Sequence, residues 1–429
     1  MLAYAFERKV LRVERIIFHI DVNSAFLSWE AARRVSQGME DIRLIPSAIG
    51  GDRDKRTGVI LAKSIPAKKY GVKTGEPVSA ALRKCPDLYI VKPDFSLYES
   101  KSRAFISICR EYTPLVEKFS IDECFLDMTG MNNIFPDLIK TAYEIKDRIK
   151  CELGFTVNIG IGNNKLLAKM ASDFEKPDKV HTLYISEIKE KMWPLPIRDL
   201  FSVGAATAEK LDKAGVKRIG DLATLDLLTV KSLVGDKIGE HIYNYANGID
   251  NFPVAENRER AKGYSNSITL EYDVKNMIDA QQILLVLVDS VATRMRTDGA
   301  RASCVGVTIR DLNFHDMSHQ KKFSIPTDIT GELFDACKLL LSELWNKKKP
   351  LRLIGVSLTD IVFEEDLQIS FFESEKRDKA RKVDKTVDNL RTKFGKSIIV
   401  RGGAYRTNSD DEIKDENIKN NLKILKSKR

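Results

Sequence analysis

Three carboxylates in the first third of the chain stand where burial makes acids costly. Asp21 closes the short apolar run "RIIFHID" (15–21), and Asp122 and Glu123 lie side by side in "EKFSIDECFLDMTG" (117–130), a run otherwise composed like a buried strand. Desolvation disfavours the charged form, so acids at strand ends need a counter-charge or a metal. If the strands at 16–21 and 119–128 are neighbours, all three acids converge on one edge of a sheet. Such an all-oxygen set suits Mg²⁺ or Mn²⁺, and two ions about 3.5–4 Å apart can clamp an in-line phosphoryl displacement without any nucleophilic side chain. The spacing fits equally a surface hairpin whose acids face water, and by itself leaves both readings open.

The elements that must position these acids can be read from periodicity and punctuation. "RIIFHID" reads as a central strand, after which Asn23 or Ser24 can cap a helix through "AFLSWEAARR". "RLIPSAIGG" and "TGVILAKS" are strand-like pieces around the charged turn "DRDKR", and "PAKKYG" has Pro66 near the start and Gly71 at the end of a short helix. A helical pattern over 95–112, the acid-bearing strand or hairpin, a helix near 136–152, the strand "FTVNIGI" and the helix "KLLAKMASDF" follow. Interleaved strands and helices through the first 180 residues predict one α/β unit with an insertion.

After "KPDKV" the composition changes to short helices punctuated by Gly204 and Gly215, a small helical domain, and "NRERAKG" reads as an exposed linker. From 263 to 364, strand-like "SCVGVTIRDL" and "LRLIGVSLTDIVF" flank the helical "LFDACKLLLSELW", which predicts a second α/β domain. Beyond 365 one helix is expected, "KARKVDKTVDNLRTKFG", followed by twenty polar residues expected to be frayed or disordered.

Composition narrows the function classes. Seventy Lys and Arg against sixty-one Asp and Glu leave a formal charge of +9, which favours a polyanionic partner such as nucleic acid. The six cysteines are scattered and form no C-x-x-C pair, which fits reduced thiols in a cytosolic protein and no zinc site. His315 and His319 could share a helical face as metal ligands, but among Asp316 and Ser318 they read as a polar loop. "GIGNNK" lacks the Walker and dinucleotide-binding glycine spacings, which sets ATPase and dehydrogenase readings aside. "MLAYAFERKVLRVER" has no signal-peptide core, and no run approaches the ~18 apolar residues of a membrane helix, so a cytoplasmic protein with no membrane partner is expected.

The motifs "HIDVNSAF", "AKKYGVKTGEP", "SIDECFLD" and "GIGNNKLLAKMASDFEKP", in this order and spacing, resemble the palm and fingers motifs of Y-family lesion-bypass DNA polymerases, on the DNA polymerase IV branch, with similarity from about residue 16 to 400. The resemblance implies a polymerase right hand: an α+β palm with an antiparallel-rich sheet, small fingers, a helix-hairpin-helix thumb and an α/β little finger. Its implied boundaries are an extension over 1–14, a palm over 15–25 and 95–185, fingers over 26–94, a thumb over 186–252, a linker over 253–262, a little finger over 263–364 and a tail over 365–429. It also implies a monomer that adds deoxynucleoside triphosphates to primer-template DNA, with low fidelity and no proofreading.

Carried over motif by motif, Asp21 and Asp122 would bind two Mg²⁺ ions, with Mn²⁺ as the substitute, helped by the Val22 carbonyl and by Glu123 at the catalytic ion. The primer 3′-hydroxyl would attack the α-phosphate and pyrophosphate would leave. Phe26 would be the steric gate against a 2′-hydroxyl. Lys68 and Lys165 would hold the triphosphate. The chain departs from the family at Ala62, Ile65 and Lys68, where Thr, Tyr and Arg are usual, so hydroxyl contacts are lost and a guanidinium fork becomes a point charge.

"FSVGAATAEKLDKAG", with Gly204 and Gly215, resembles a helix-hairpin-helix that offers backbone N–H groups to phosphate, although Ser202 stands where the family usually has glycine. Arg294, Arg296, Arg301 and Arg310 are candidate phosphate contacts of the little finger. "QISFF" resembles the sliding-clamp-binding peptide, with Gln368, Phe371 and Phe372 as its anchors and Phe371 in place of the usual leucine. Two other readings stand beside this one: a catalytically inactive DNA-binding accessory recruited by the sliding clamp, and a nucleotide cyclase with a similar metal-binding palm. The intact acid triad weighs against the first, the hairpin motifs and basic balance against the second.

Overall fold

The strand β1 (Ile17–Val22) buries every residue except the half-buried Asp21, the composition of a central strand covered on both faces. The computed structural model describes residues 14–51, 58–256, 260–346, 349–363, 365, 375–395 and 398–402. These form two compact units, one from the residues up to 256 and one from residue 260 onward.

In the first unit β1 leads into α1 (Ala25–Ser36), then β2 (Ser47–Gly50), β3 (Ile60–Lys63), α2 (Ile65–Lys69), α3 (Val78–Lys84), β4 (Tyr89–Val91) and α4 (Phe95–Arg110). Next come β5 (Val116–Lys118), β6 (Glu123–Asp127), α5 (Leu138–Leu153), β7 (Val157–Gly162), α6 (Lys165–Ser172) and β8 (Val180–Leu183). The main sheet has the order β5-β6-β1-β7-β8, antiparallel except for the β7–β8 pair. Asp21 lies opposite Glu123 on one side and Asn158 on the other, so the two acid-bearing strands are indeed neighbours.

Alternation along β1 sends Phe18 and Ile20 to one face, where they share a core with Phe105 and Cys109 of α4 and Ile145 and Ile149 of α5. His19 and Asp21 face the other way, toward α6. That helix lies on β7 because two positions there lack side chains. A Cβ at Gly160 would stand 2.0 Å from the Ala168 carbonyl oxygen, and one at Gly162 2.7 Å from the Ala168 nitrogen. The glycines of "GIGNN" therefore serve close packing.

The turn from β1 into α1 differs from expectation. Ser24 occupies the cap position in a left-handed conformation, φ 48°, and makes no side-chain cap bond. Asn23 instead spends its amide across the sheet, donating to Asn158 Oδ1 and accepting from the Asp178 backbone N–H. Leu27, Trp29 and Ala31 of α1 pack in the same core as Phe18 and Ile20. The short strands β3-β2-β4 form their own small sheet, with Ala48, Ile60, Ala67, Val78 and Ala81 as its core.

A helical region follows: α7 (Ala205–Lys213), α8 (Ile219–Thr224), α9 (Leu227–Val234) and α10 (Asp236–Ala246), packed with Leu166, Leu167 and Met170 of α6. The second unit runs β9 (Tyr264–Val274), α11 (Met277–Thr297), β10 (Ala300–Asp311), β11 (Asp316–Thr327), α12 (Thr330–Leu344), β12 (Leu351–Phe363) and α13 (Glu375–Phe394). Its antiparallel sheet has the order β11-β10-β12-β9. The expectation of a polar loop at 315–319 is corrected, because β11 begins at Asp316 and pairs His319 with Val307. This edge strand is exposed on both faces over 316–322, so it carries no apolar alternation to be read. Among the described residues, no group of three His, Cys, Asp or Glu side chains stands close enough to hold a metal as placed.

Helix α13 is attached chiefly through charge. Arg381 pairs with Asp328, Arg377 with Glu332, Arg391 and Arg401 with Asp289, and Asp384 accepts from the Thr330 N–H. Five of the six cysteines are buried and Cys151 is exposed, all of them free. Among the described residues no helix is long and apolar enough to cross a membrane.

The ion pairs give the second unit an acid-sensitive stability. Burial alone would raise Asp289 and Glu332, but Arg391 and Arg401, and Arg377, hold their carboxyls below the ordinary 3.8 and 4.5. Each therefore binds protons more weakly folded than unfolded, so its contribution is complete above those values and is lost as pH falls through the depressed ones. Urea unfolding of the full chain, followed by hydrogen exchange in α11–α13, is expected to begin at clearly lower urea near about pH 3 than near about pH 6.

Candidate active site

The two acids that the sequence separates by a hundred residues are joined through the backbone. The Val22 N–H at the end of β1 donates to the Asp122 carbonyl oxygen at 3.0 Å, tying the turn before β6 to the end of the central strand. Ser120 braces that turn, its Oγ donating to Asp122 Oδ1 at 2.6 Å and accepting from the Asp122 N–H. Asp122 thus lies just ahead of its strand and Asp21 one residue before the end of the neighbouring one. Both line an open cleft of about 560 Å³ whose other walls include Val22, Phe26, Lys63, Lys68 and Lys176.

The electrostatics differ among the three acids. Burial pushes the Asp21 carboxyl above its ordinary range against the pull of Lys176, and nearby Asp122 adds to the rise. Lys176 is bonded to Asp21 Oδ2 and also to Asp173 Oδ1 at 2.7 Å. Burial would lower its ammonium, yet the two acids outweigh that and raise it. Glu123 lies opposite Asp21 in the ladder but does not line the cleft. Its Oε2 meets His19 Nε2 at 3.0 Å and Lys169 Nζ at 2.5 Å. Burial alone would raise the carboxyl; those two partners instead bring it down to about 2. His19 is itself fixed, its Nδ1 2.8 Å from Ser172 Oγ on α6. The structure therefore gathers Asp21 and Asp122, and holds Glu123 beside them with its own cation.

Phe26 is half-buried at the cleft, stacked on Tyr98 with centroids 4.6 Å apart and met edge-on by Phe95. A ring clamped in this way cannot swing aside without breaking aromatic contacts.

The cationic wall differs from expectation in one member. Lys68 lines the cleft with Ala62 and Ile65. Lys165 does not: its ammonium is committed to both oxygens of Glu117, at 2.6 and 2.7 Å, and lies over the Phe125 ring. Lys176 is the lysine after "GIGNNK" that reaches the cleft, joined by Lys63, whose Nζ donates to Thr74 Oγ1 at 3.3 Å. Sequence reasoning missed Lys176, Lys169 and His19. The i, i+4, i+7 spacing of Lys165, Lys169 and Ser172 on one helical face was a usable signal for part of this group. Lys176 lies beyond the helix end, where no periodicity points to it.

Gly204 is the N-cap of α7, and Gly215 has φ +85° after it. Ser202, in the place of the expected glycine, adopts φ 75°. In the second unit Arg310 pairs with Asp316 beside a shallow depression that Ser265, Ser267, Thr308 and Ser357 also line. Arg294 is exposed and donates to the Ser265 carbonyl, and Arg301 is half-buried on β10. The expectation for Arg296 is corrected: its side chain is 3% exposed, paired with Asp388 at 2.6 Å and Asp384 at 3.6 Å, because it anchors α13. Gln368, Phe371 and Phe372 lie outside the described residues.

Comparison with known proteins gives a consistent match along the chain. Residues 20–173 match the impB/mucB/samB family, residues 261–371 that family's C-terminal domain, and residues 198–250 a DNA polymerase-iota thumb domain. The DNA polymerase IV of Clostridium acetobutylicum is 42% identical over 394 residues, covering 91% of this chain and 98% of the relative. DNA polymerase IV 1 of Bacillus subtilis is 35% identical, covering 91% and 94%. A solved Y-family DNA polymerase chimera superimposes with a TM-score of 0.68 over 81% of this chain and all of its own, at 21% identity, which is a likeness of fold.

The Lys169–Glu123 contact can be tested alone. Lys169→Met leaves Glu123 buried with only His19 beside it, and its carboxyl is expected to rise from about 2 toward the ordinary glutamate range. Carbon-13 NMR titration of the Glu123 carboxyl reads this directly; an unmoved titration means that Lys169 does not hold the side chain.

Proposed function

Because the chain belongs to the impB/mucB/samB family of Y-family DNA polymerases, it is a DNA-directed DNA polymerase of the translesion type, and we propose that its Asp21–Asp122 cleft is where deoxynucleotides join a primer 3′ end. The observation that carries this is that Asp21 and Asp122 line one cleft together with Lys63, Lys68 and Lys176.

The donor set fits a hard divalent cation. Asp21, Asp122 and the Val22 carbonyl offer only oxygens, and burial combined with like charge raises the Asp21 carboxyl, a crowding that positive charge would relieve. Asp21 and Asp122, with Glu123 adjacent, would hold two Mg²⁺ ions, or Mn²⁺ in their place. Bound there, the ions would neutralise the charge that develops as the α-phosphate passes from pyrophosphate to the primer oxygen. His19 and Lys169 keep Glu123 ionised and oriented by one oxygen.

Phe26, stiffened by Tyr98 and Phe95, leaves no room beneath the sugar for a 2′-hydroxyl. Lys63, Lys68 and Lys176 receive the triphosphate as point charges, which suits a wall that has Ala62 and Ile65 in place of hydroxyl-bearing side chains. Low fidelity and tolerance of damaged templates belong to the same proposal. Outside the cleft, the hydroxyl row Ser265, Ser267, Thr308 and Ser357 with Arg310 suits a phosphate backbone, as does the N-terminus of α7 at Gly204. We propose recruitment to a sliding clamp through Gln368, Phe371 and Phe372, action as a monomer, and a reducing compartment such as the cytoplasm for the free thiols. The retained acids weigh against an inactive accessory.

Primer extension with Mg²⁺ carries the test. Asp122→Ala and Asp21→Asn are expected to lose extension by at least about a thousandfold while keeping primer-template affinity, since removing metal ligands costs transition-state stabilisation rather than DNA contacts. Near-normal incorporation by either variant rejects the site. In the same assay Phe26→Ala is expected to admit ribonucleotides, and unchanged sugar discrimination removes the gate.

A further inference from the structure

We propose that Lys176 couples metal entry to nucleotide entry, by holding the Asp21 carboxylate until a triphosphate draws its ammonium away. The proposal rests on the reading of Asp21 as a metal ligand. Lys176 Nζ bonds Asp21 Oδ2 within the cleft and reaches Asp173 Oδ1 at 2.7 Å on the outside. It lines the same cleft as Lys63, Lys68 and Phe26, so one ammonium stands between the acids and the wall that would receive phosphates.

A divalent cation at the Asp21 carboxylate would stand close beside the Lys176 ammonium, and the repulsion between the two positive charges opposes holding both there. A divalent ion arriving alone at Asp21 must therefore separate a partly desolvated ion pair, and the cost of doing so lowers its affinity. A triphosphate removes that cost, because it offers the ammonium new anionic oxygens on the same side of the cleft. The lysine then exchanges one anion for another and is never left unpaired. Asp173, whose side chain is 55% exposed, gives the displaced ammonium a second hold.

The neighbouring groups make Lys176 the residue for this exchange. Lys169 is committed to Glu123 and Lys165 to Glu117, so neither is placed to replace it at Asp21. Asp122 accepts a neutral hydroxyl bond from Ser120, and among the described residues no ion pair is seen at its side chain for a cation to break. The competition is therefore confined to one oxygen of one acid. Because linkage is reciprocal, a nucleotide that strengthens metal binding must itself bind more tightly when metal is present.

The experiment measures Mn²⁺ binding to the full chain by electron paramagnetic resonance of the free ion, with primer-template, with and without a non-hydrolysable deoxynucleoside triphosphate analogue. Without nucleotide, Lys176→Met and Lys176→Gln are expected to bind Mn²⁺ on the order of tenfold more tightly than the parent, and the nucleotide should add little further. Lys176→Arg, which keeps the charge, is expected to restore weak binding and the nucleotide response. Unchanged or weaker Mn²⁺ affinity in both neutral variants overturns the proposal, since a lysine that only contacts phosphate or braces its turn would not oppose the ion. Asp21→Asn separates the two ideas. If it abolishes Mn²⁺ binding while the neutral lysine variants behave like the parent, the coupling alone fails; if it leaves Mn²⁺ binding intact, the metal-ligand reading beneath it fails as well.

Discussion

The antiparallel pairing of β1 with β6, sealed by the Val22 N–H to Asp122 carbonyl bond at 3.0 Å, is the constraint from which the cleft follows. It brings together acids that are about a hundred residues apart and fixes which face they share. Strand side chains alternate, so a one-residue slip of this register would carry Glu123 to the far side of the sheet and Asp122 away from Asp21. Central placement makes such a slip costly, since β1 is hydrogen-bonded along both edges and packed on both faces. The acids can therefore be held in an unfavourable environment because the scaffold that holds them is not negotiable.

Much of this was legible because hydrophobic runs ending in acids are unusual. The strands carrying Asp21 and Asp122, the helix over 95–110 and the glycine-punctuated helices all announced themselves through period and punctuation. What stayed hidden was partnership. Nothing in "KLLAKMASDFEKP" says that Lys165 faces Glu117, Lys169 faces Glu123 and Lys176 faces Asp21, because ion pairing depends on which strand edge the helix lies against. Arg296 was misread for the same reason: an arginine in the last turn of a helix looks solvent-bound until a later helix covers it with Asp384 and Asp388. The strand at 316–327 was invisible on other grounds, being exposed on both faces over 316–322.

The two units use charge in different ways. Around α13 largely buried arginines and aspartates are paired at close range, so they act as a fastening. In the cleft the pairs are fewer and lie at a solvent edge: Lys176 with Asp21, Lys63 against a hydroxyl, Lys68 exposed. Pairs of that kind can change partners. Buried pairing suits a part that must stay put, and pairing at a solvent edge suits a surface that must accept a polyanion.

The bare backbone at Gly160 and Gly162 has a reach beyond packing. Helix α6 lies almost in van der Waals collapse on β7 there, and Lys169 and Ser172, which orient Glu123 directly and through His19, ride on that helix. The thickness of two missing methyl groups therefore sets the distance at which an ammonium meets a carboxylate on the next strand but one. A side chain at either position would have to lift α6, and with it the two groups that orient Glu123, so the height of a helix over one strand tunes the charge on another.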